Sequence, residues 1–167
     1  DATNSADYGP SHLGAGLAAA VWDHYEGLPL TTDVPTYDAT GYTYNGDRGR
    51  VAELAACFAD DGIIEYPGNR ATGPDAIAAS LSGGSGTRNP ALTFVRHHIT
   101  NPLIEIDGDG AKVRSYFTVH TDIGPDHSGT YSDSLRRTAK GWRFAHRLVR
   151  VDWQSPQSLF RPMVTRK

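Results

Sequence analysis

Hydrophobic positions along the 167-residue chain change their spacing near its middle. In the first half they recur at helical intervals. Over residues 13–25, Leu17, Ala20, Val21 and His24 share one face, and Ser11 stands where an N-cap would, which predicts a first helix. Val51, Leu54, Ala55 and Phe58 follow the i, i+3, i+4, i+7 series, and Asp60-Asp61-Gly62 supplies a C-terminal stop, which predicts a second. Ile63, Ile64 and Tyr66 predict a short strand ended by Pro67-Gly68. Gly73-Pro74-Asp75 then opens a third helix bearing Ile77 and Leu81, because proline's fixed φ suits a first helical turn. Residues 27–45 show no period and predict a long loop, and 83–86 read as a flexible connector.

The second half is β-rich. Runs over 92–100, 103–107, 111–121, 129–138 and 142–151 are separated by turn signals, and Asp107-Gly-Asp-Gly110 predicts a tight hairpin. That turn lacks the later oxygen ligands of an EF-hand, so it is not read as a calcium loop. Helices followed by consecutive antiparallel strands imply one α+β domain. One sheet face would be covered by helices, the other free for solvent or a partner subunit.

Composition narrows the partners. A formal net charge of −3 with scattered basic residues excludes a nucleic-acid footprint. Cys57 is the single cysteine, so no internal disulfide forms, which fits a reducing, cytoplasmic compartment. No apolar run approaches a membrane span, and Asp1 to Pro10 carries no signal-peptide core. Gly83-Gly84-Ser85-Gly86 lacks the lysine of a phosphate-binding loop, and neither a dinucleotide fingerprint nor a zinc-ligand cluster occurs, so no cofactor or metal is expected.

Four segments then carry a family likeness: DRGRVAELAACFADD from Asp47, RHHITNPLIEID from Arg96, and the closing pair GTYSDSLRRT and GWRFAHRLVRVDW. Together they resemble the SnoaL-like branch of the nuclear transport factor 2 fold, which includes polyketide cyclases, scytalone dehydratase, bile acid dehydratase and hexachlorocyclohexane dehydrochlorinase. The likeness covers about 47–153. It implies a cone-shaped, curved antiparallel sheet wrapped around N-terminal helices, a cystatin-like α+β barrel, with a deep apolar pocket and frequent homodimers. It also implies an Asp–His dyad, which motif position puts at Asp47 and His97. The chain departs from the family where residues 27–45 interrupt the first helix. Asp47 could therefore belong to the loop and merely cap a helix beginning near Arg48.

His97 and His98 are adjacent in a strand and point to opposite faces. Thr93, Val95, His97 and Ile99 form the smaller, more apolar set, so His97 is taken as the inward one; a structural core histidine is the alternative reading. On the last run Arg143, Ala145, Arg147 and Val149 share a parity. The resemblance makes Arg147 a pocket arginine for a leaving group or oxyanion, and the alternative is an ion pair with Asp133. Tyr131 is a candidate donor, Ser115 and Phe117 would line the wall, and Tyr66 would sit near the mouth. The segments 27–45 and 154–167 are expected to fold over the mouth, with Tyr37, Tyr42 and Tyr44 upstream and Leu159, Phe160 and Met163 downstream. The expected activity is a cofactor-independent dehydratase, isomerase or cyclase on a hydrophobic, polycyclic or polyketide-like molecule. The competing reading is a non-catalytic binding or assembly module. Alternate positions Arg96, His98 and Tyr116 would form the outer dimer face.

Overall fold

The computed structural model describes residues 39–82 and 89–163, all within one compact unit, Pro35–Lys167. The helix expected over 13–25, most of the loop expected over 27–45 and the connector 83–86 lie outside the described residues. Those described form helices α1 (Ala39–Asp47), α2 (Val51–Ala55) and α3 (Pro74–Leu81). The strands are β1 (Phe58–Tyr66), β2 (Asn69–Thr72), β3 (Arg96–Asp107), β4 (Gly110–Thr121), β5 (Gly124–Thr138) and β6 (Gly141–Gln154).

Two boundaries differ from the sequence pattern. Residues 39–45, expected in a loop, are helical. Their intrinsic preference is weak, and tertiary packing decides: the Tyr42 ring meets Phe58 and Phe144 edge-on, each at 6.0 Å between centroids. Asp47 is therefore the last residue of α1 and not the cap of the next helix, whose N-cap position is Arg50. The second helix stops at Ala55, and Phe58 already begins β1. Gly62 is no helix stop. It lies in β1 where the chain runs against β6, and a Cβ there would meet the Phe144 carbonyl oxygen at 2.7 Å. The third helix starts as the sequence predicts, with Pro74 in its first turn and Ile77 fully buried beneath it.

The strands make one sheet in the order β2-β1-β6-β5-β4-β3. Only β1 with β6 is parallel among the described pairs; the rest are antiparallel, and β3 to β6 form a meander. The sheet is curved and unclosed. β3 joins two runs that the sequence kept apart, bridging them with an irregularity at Asn101 (φ 52°) and Pro102. Alternation along β4 is regular, with Val113, Ser115, Phe117 and Val119 buried and the residues between them more exposed.

Three further register shifts, in β5 and β6, re-aim side chains. In β6 Leu135 of β5 faces Phe144 and Ser134 faces His146, which leaves Ala145 as an extra residue. The inward set therefore runs Trp142, Phe144, then Arg147 and Val151. Arg143 and Ala145 do not share the Arg147 face, contrary to the simple parity. Asp152 is a second extra residue in β6, opposite Ser128 and Gly129. Asp126 is extra in β5, opposite Val119 and His120.

The core falls into two parts. One joins Leu54, Ile64, Ile77, Leu135 and Trp142 under the helices. The other gathers Val95, Phe117, Val119, Tyr131 and Val151, with Leu92, Ile99, Val149, Phe160 and Met163 packed against it.

Candidate functional site

The second cluster carries the polar groups. His97 faces inward from β3 beside Val95 and Ile99, while Arg96, His98 and Thr100 face out. The last turn of α1 brings Asp47 against it. Asp47 Oδ1 lies 2.6 Å from His97 Nδ1, and Oδ2 accepts the His97 backbone N–H at 3.2 Å. One carboxylate thus holds both the ring and the strand that bears it. The Asp47 side chain is 6 % exposed and that of His97 22 %, so the pair is anchored at the carboxylate and open at the ring. With Nδ1–H donated to a carboxylate, Nε2 bears the lone pair, and a proton taken there would be stabilised as imidazolium.

Arg147 and Asp133, directly opposite each other on β6 and β5, form a two-pronged pair. Arg147 Nε donates to Asp133 Oδ1 at 2.9 Å and Nη2 to Oδ2 at 2.7 Å, and both side chains are 0 % exposed. The rings of Tyr42, Tyr131 and Phe144 each lie 4.2 Å from the guanidinium carbon. Tyr42 also accepts a hydrogen bond from Arg147. Burial raises its pKa, and the arginine charge pulls only partly the other way. Of the two readings of Arg147 the ion pair is the one observed: its guanidinium faces Asp133 inside the core.

The remaining expected residues divide. Tyr131 stacks on Phe117 at 4.5 Å and is buried with Val95 in the second cluster, and buried Ser115 lies opposite Tyr131 on β4. Phe160 joins them from the C-terminal segment, packed edge-on against His127 at 4.9 Å. Tyr66 does not come to this cluster. Its hydroxyl donates to the Ser80 carbonyl at 3.1 Å and fastens α3 to the β1–β2 hairpin. Tyr44 is also misplaced by the sequence reading: it is 51 % exposed, with the Arg48 guanidinium over its ring. Positions 42 and 44 lie about 200° apart around a helix, so only one can face the core, and Tyr42 does.

Sequence reasoning missed Asp126 and His127. Alternation predicts opposite faces for neighbours, yet the extra residue in β5 lets both be buried. Asp126 Oδ1 lies 2.8 Å from His127 Nδ1 and accepts Ser158 Oγ–H at 2.6 Å, while Oδ2 accepts the Leu159 N–H at 2.9 Å. Burial works to raise the Asp126 pKa, but the bonds from Ser158, His127 and Leu159 outweigh it and hold the carboxyl below its ordinary range. Burial lowers the His127 pKa, against the pull of Asp126, and the charge of His97 adds to the lowering. Gly129, a glycine inside a strand, marks the neighbouring bulge at Asp152 of β6 and not the one at Asp126. A Cβ on Gly129 would overlap the Arg150 carbonyl oxygen and meet the Phe117 ring at 3.0 Å.

The model of the SnoaL-like domain matches residues 39–148. The chain belongs to the SnoaL-like family. Among solved structures it is similar to a variant of Rv3472, a protein of unknown function from Mycobacterium tuberculosis, at 30 % identity over 68 % of this chain and 66 % of that one, with a TM-score of 0.59. A putative scytalone dehydratase from Novosphingobium aromaticivorans is 26 % identical over 74 % of this chain and 85 % of its own, at a TM-score of 0.61. ActVI-ORFA from Streptomyces coelicolor, 23 % identical over 82 % and 98 % of the two chains, shares the fold at a TM-score of 0.59. No curated protein matches the sequence. Among the described residues no helix is long and apolar enough to cross a membrane, and no group of three or more His, Cys, Asp or Glu is placed to hold a metal ion.

Proposed function

We propose that this SnoaL-like protein is a cofactor-independent acid–base enzyme, a dehydratase, isomerase or cyclase, acting on a hydrophobic, polycyclic or polyketide-like molecule. The observation that carries the reading is the Asp47–His97 contact. A carboxylate at 2.6 Å fixes the imidazole tautomer, and the ring remains partly open beside an aromatic and aliphatic cluster. His97 Nε2 takes a proton from an activated carbon or hydroxyl, and Asp47 stabilises the imidazolium that results. Tyr131, Phe117 and Val95 supply apolar surface for the substrate. Arg147, neutralised by Asp133, contributes the positive end of a fixed dipole beneath it. Phe160 and the segment around it cover the apolar cluster and limit water.

The test needs no knowledge of the natural substrate. β-Tetralone carries an activated methylene next to an aromatic ring, and its exchange for deuterium in heavy water is followed by proton NMR. The protein is expected to accelerate exchange, and D47N and H97Q to lose roughly 100-fold or more of that acceleration while still binding the ketone. Binding without exchange in the parent protein would replace the enzyme with a carrier.

The outer sheet face supports assembly as a homodimer. Tyr116 and Trp153 are exposed there, beside the edge-on pair of His98 and His120 at 5.0 Å. Such a mixed aromatic and polar surface suits an isologous contact.

A further inference from the structure

The row of residues across the sheet at His97 places a second imidazole in the same site. His97 on β3 pairs with Val119 on β4, and Val119 pairs with His127 on β5. All three are on the inward face, so the two histidines stand two strand spacings apart, about 10 Å between their backbones, with fully buried Val119 between them. That span is about that of a fused two-ring system reaching from one imidazole to the other.

Each histidine has its own carboxylate, and the two carboxylates come from different elements: Asp47 from α1, Asp126 from the bulge of β5. Asp126 is 0 % exposed and accepts four hydrogen bonds, from His127, Ser158, Leu159 and, at 3.2 Å, Thr121. A carboxylate so saturated stays ionised, which commits His127 Nδ1 to donating its proton. Nε2 is then the acceptor side of the ring, and no described residue donates a hydrogen bond to it. The groups that bear on its charge are Asp126 beside it and His97 across the row with Asp47 behind; with burial as the largest influence, His127 is held neutral. A neutral imidazole walled by Phe117 and Phe160 is an acceptor without charge, suited to a hydroxyl and unsuited to a carboxylate or an ether.

We propose that His127, fixed by Asp126, is the specificity-determining group of this site, accepting a hydrogen bond from a hydroxyl on a ring of the substrate, so that the molecule taken is a phenol, enol or ring alcohol presented to His97 at its other end. The inference rests on the reading of this cluster as a small-molecule pocket and adds the substrate's functional group to it. Asp126 is a positioning residue: it sets the tautomer of His127 and, through Ser158 and Leu159, ties the C-terminal segment to the same point.

The test compares β-naphthol with β-naphthyl methyl ether, which share the two rings and differ in the donor. Binding is followed by naphthalene fluorescence at neutral pH. The parent protein is expected to prefer the naphthol by about tenfold, the worth of one hydrogen bond to an otherwise unsatisfied acceptor. H127F keeps a buried aromatic ring without the acceptor and is expected to bind the two equally; H127L serves if the larger ring disturbs folding, and a thermal melt checks both. H97Q is expected to keep the preference. Equal binding of the two compounds to the parent protein, or a preference that survives H127F and H127L or disappears in H97Q, overturns the assignment. If the parent protein binds neither compound, the pocket reading fails and takes the assignment with it. If β-tetralone exchange persists while the hydroxyl preference is absent, the acid–base reading stands and only the role of His127 falls.

Discussion

Replacing Asp133 by asparagine would leave the Arg147 guanidinium without its counter-charge in a place that water does not reach. Both side chains are fully buried, and the two hydrogen bonds between them, at 2.9 and 2.7 Å, occupy both carboxylate oxygens. Breaking such a pair from one side costs about 3–5 kcal/mol, because the remaining ion keeps its desolvation penalty. The faces of Tyr42, Tyr131 and Phe144 partly solvate the cation, so D133N should fall at the lower end and R147M, which strands a carboxylate among the same rings, at the upper. For a chain of this length 1 kcal/mol moves the melting temperature by roughly 2–4 °C, so shifts of about 6–20 °C are expected. Urea unfolding followed by far-ultraviolet circular dichroism gives the free energies. The double variant R147M/D133L, apolar on both sides, should be far less damaged than the sum of the singles, with a coupling of about 2 kcal/mol or more. Single variants within about 0.5 kcal/mol of the parent, or a double variant as unstable as the sum, would refute the account of Arg147 as a core cation held by Asp133.

Other outcomes follow from named contacts. G129A should destabilise by several kcal/mol or fail to fold, because the added methyl would overlap the Arg150 carbonyl oxygen, and a thermal melt reads this directly. The His127 pKa is depressed in the folded state, so the unfolded chain binds more protons below its ordinary value of about 6.5. Stability should therefore hold above that pH and fall as the pH drops through the window beneath it. H127F should show a shallower fall over the same window in melts from pH 7 downward, and an unchanged slope would contradict the burial argument. Y116E places a charge on the exposed outer face and should shift a dimer towards monomer in light scattering; a parent protein that is monomeric at every concentration removes the homodimer from consideration.

The pairing of Asp47 with His97 came from the family resemblance; strand parity chose His97 over His98, while the local pattern around Asp47, an aspartate ahead of an amphipathic run, pointed only to a helix cap, which it is not. Asp133 and Arg147 were legible as a pair because both lie in a stretch of β5 and β6 where alternation is undisturbed. Alternation failed at the bulges. Arg143 and Ala145 were put on the wrong face by one extra residue, and Asp126 with His127 was overlooked because neighbours in a regular strand cannot both be inward. Helix boundaries failed for a different reason. Residues 39–47 are poor helix formers, held by the seat of Tyr42 among Phe58 and Phe144, and such long-range packing leaves no periodic trace. Phe58 continues the helical series in sequence, yet its partner across the sheet is Phe144, 86 positions later.

β6 keeps its inward residues at even numbers at both ends, Trp142, Phe144 and the Gln154 that faces His127, and at odd numbers in between, Arg147, Val149 and Val151. Ala145 and Asp152 are where the count changes. Losing one residue between these two places would swap the two faces of everything on one side of it, turning a fully buried arginine to the surface or an exposed tryptophan inward, whereas losing Ala145 or Asp152 itself would only restore regular pairing. Length differences among relatives of this chain should therefore collect in the turns between strands and at these two bulges, where losing a residue leaves the inward set in place, and be absent from the rest of the last strand.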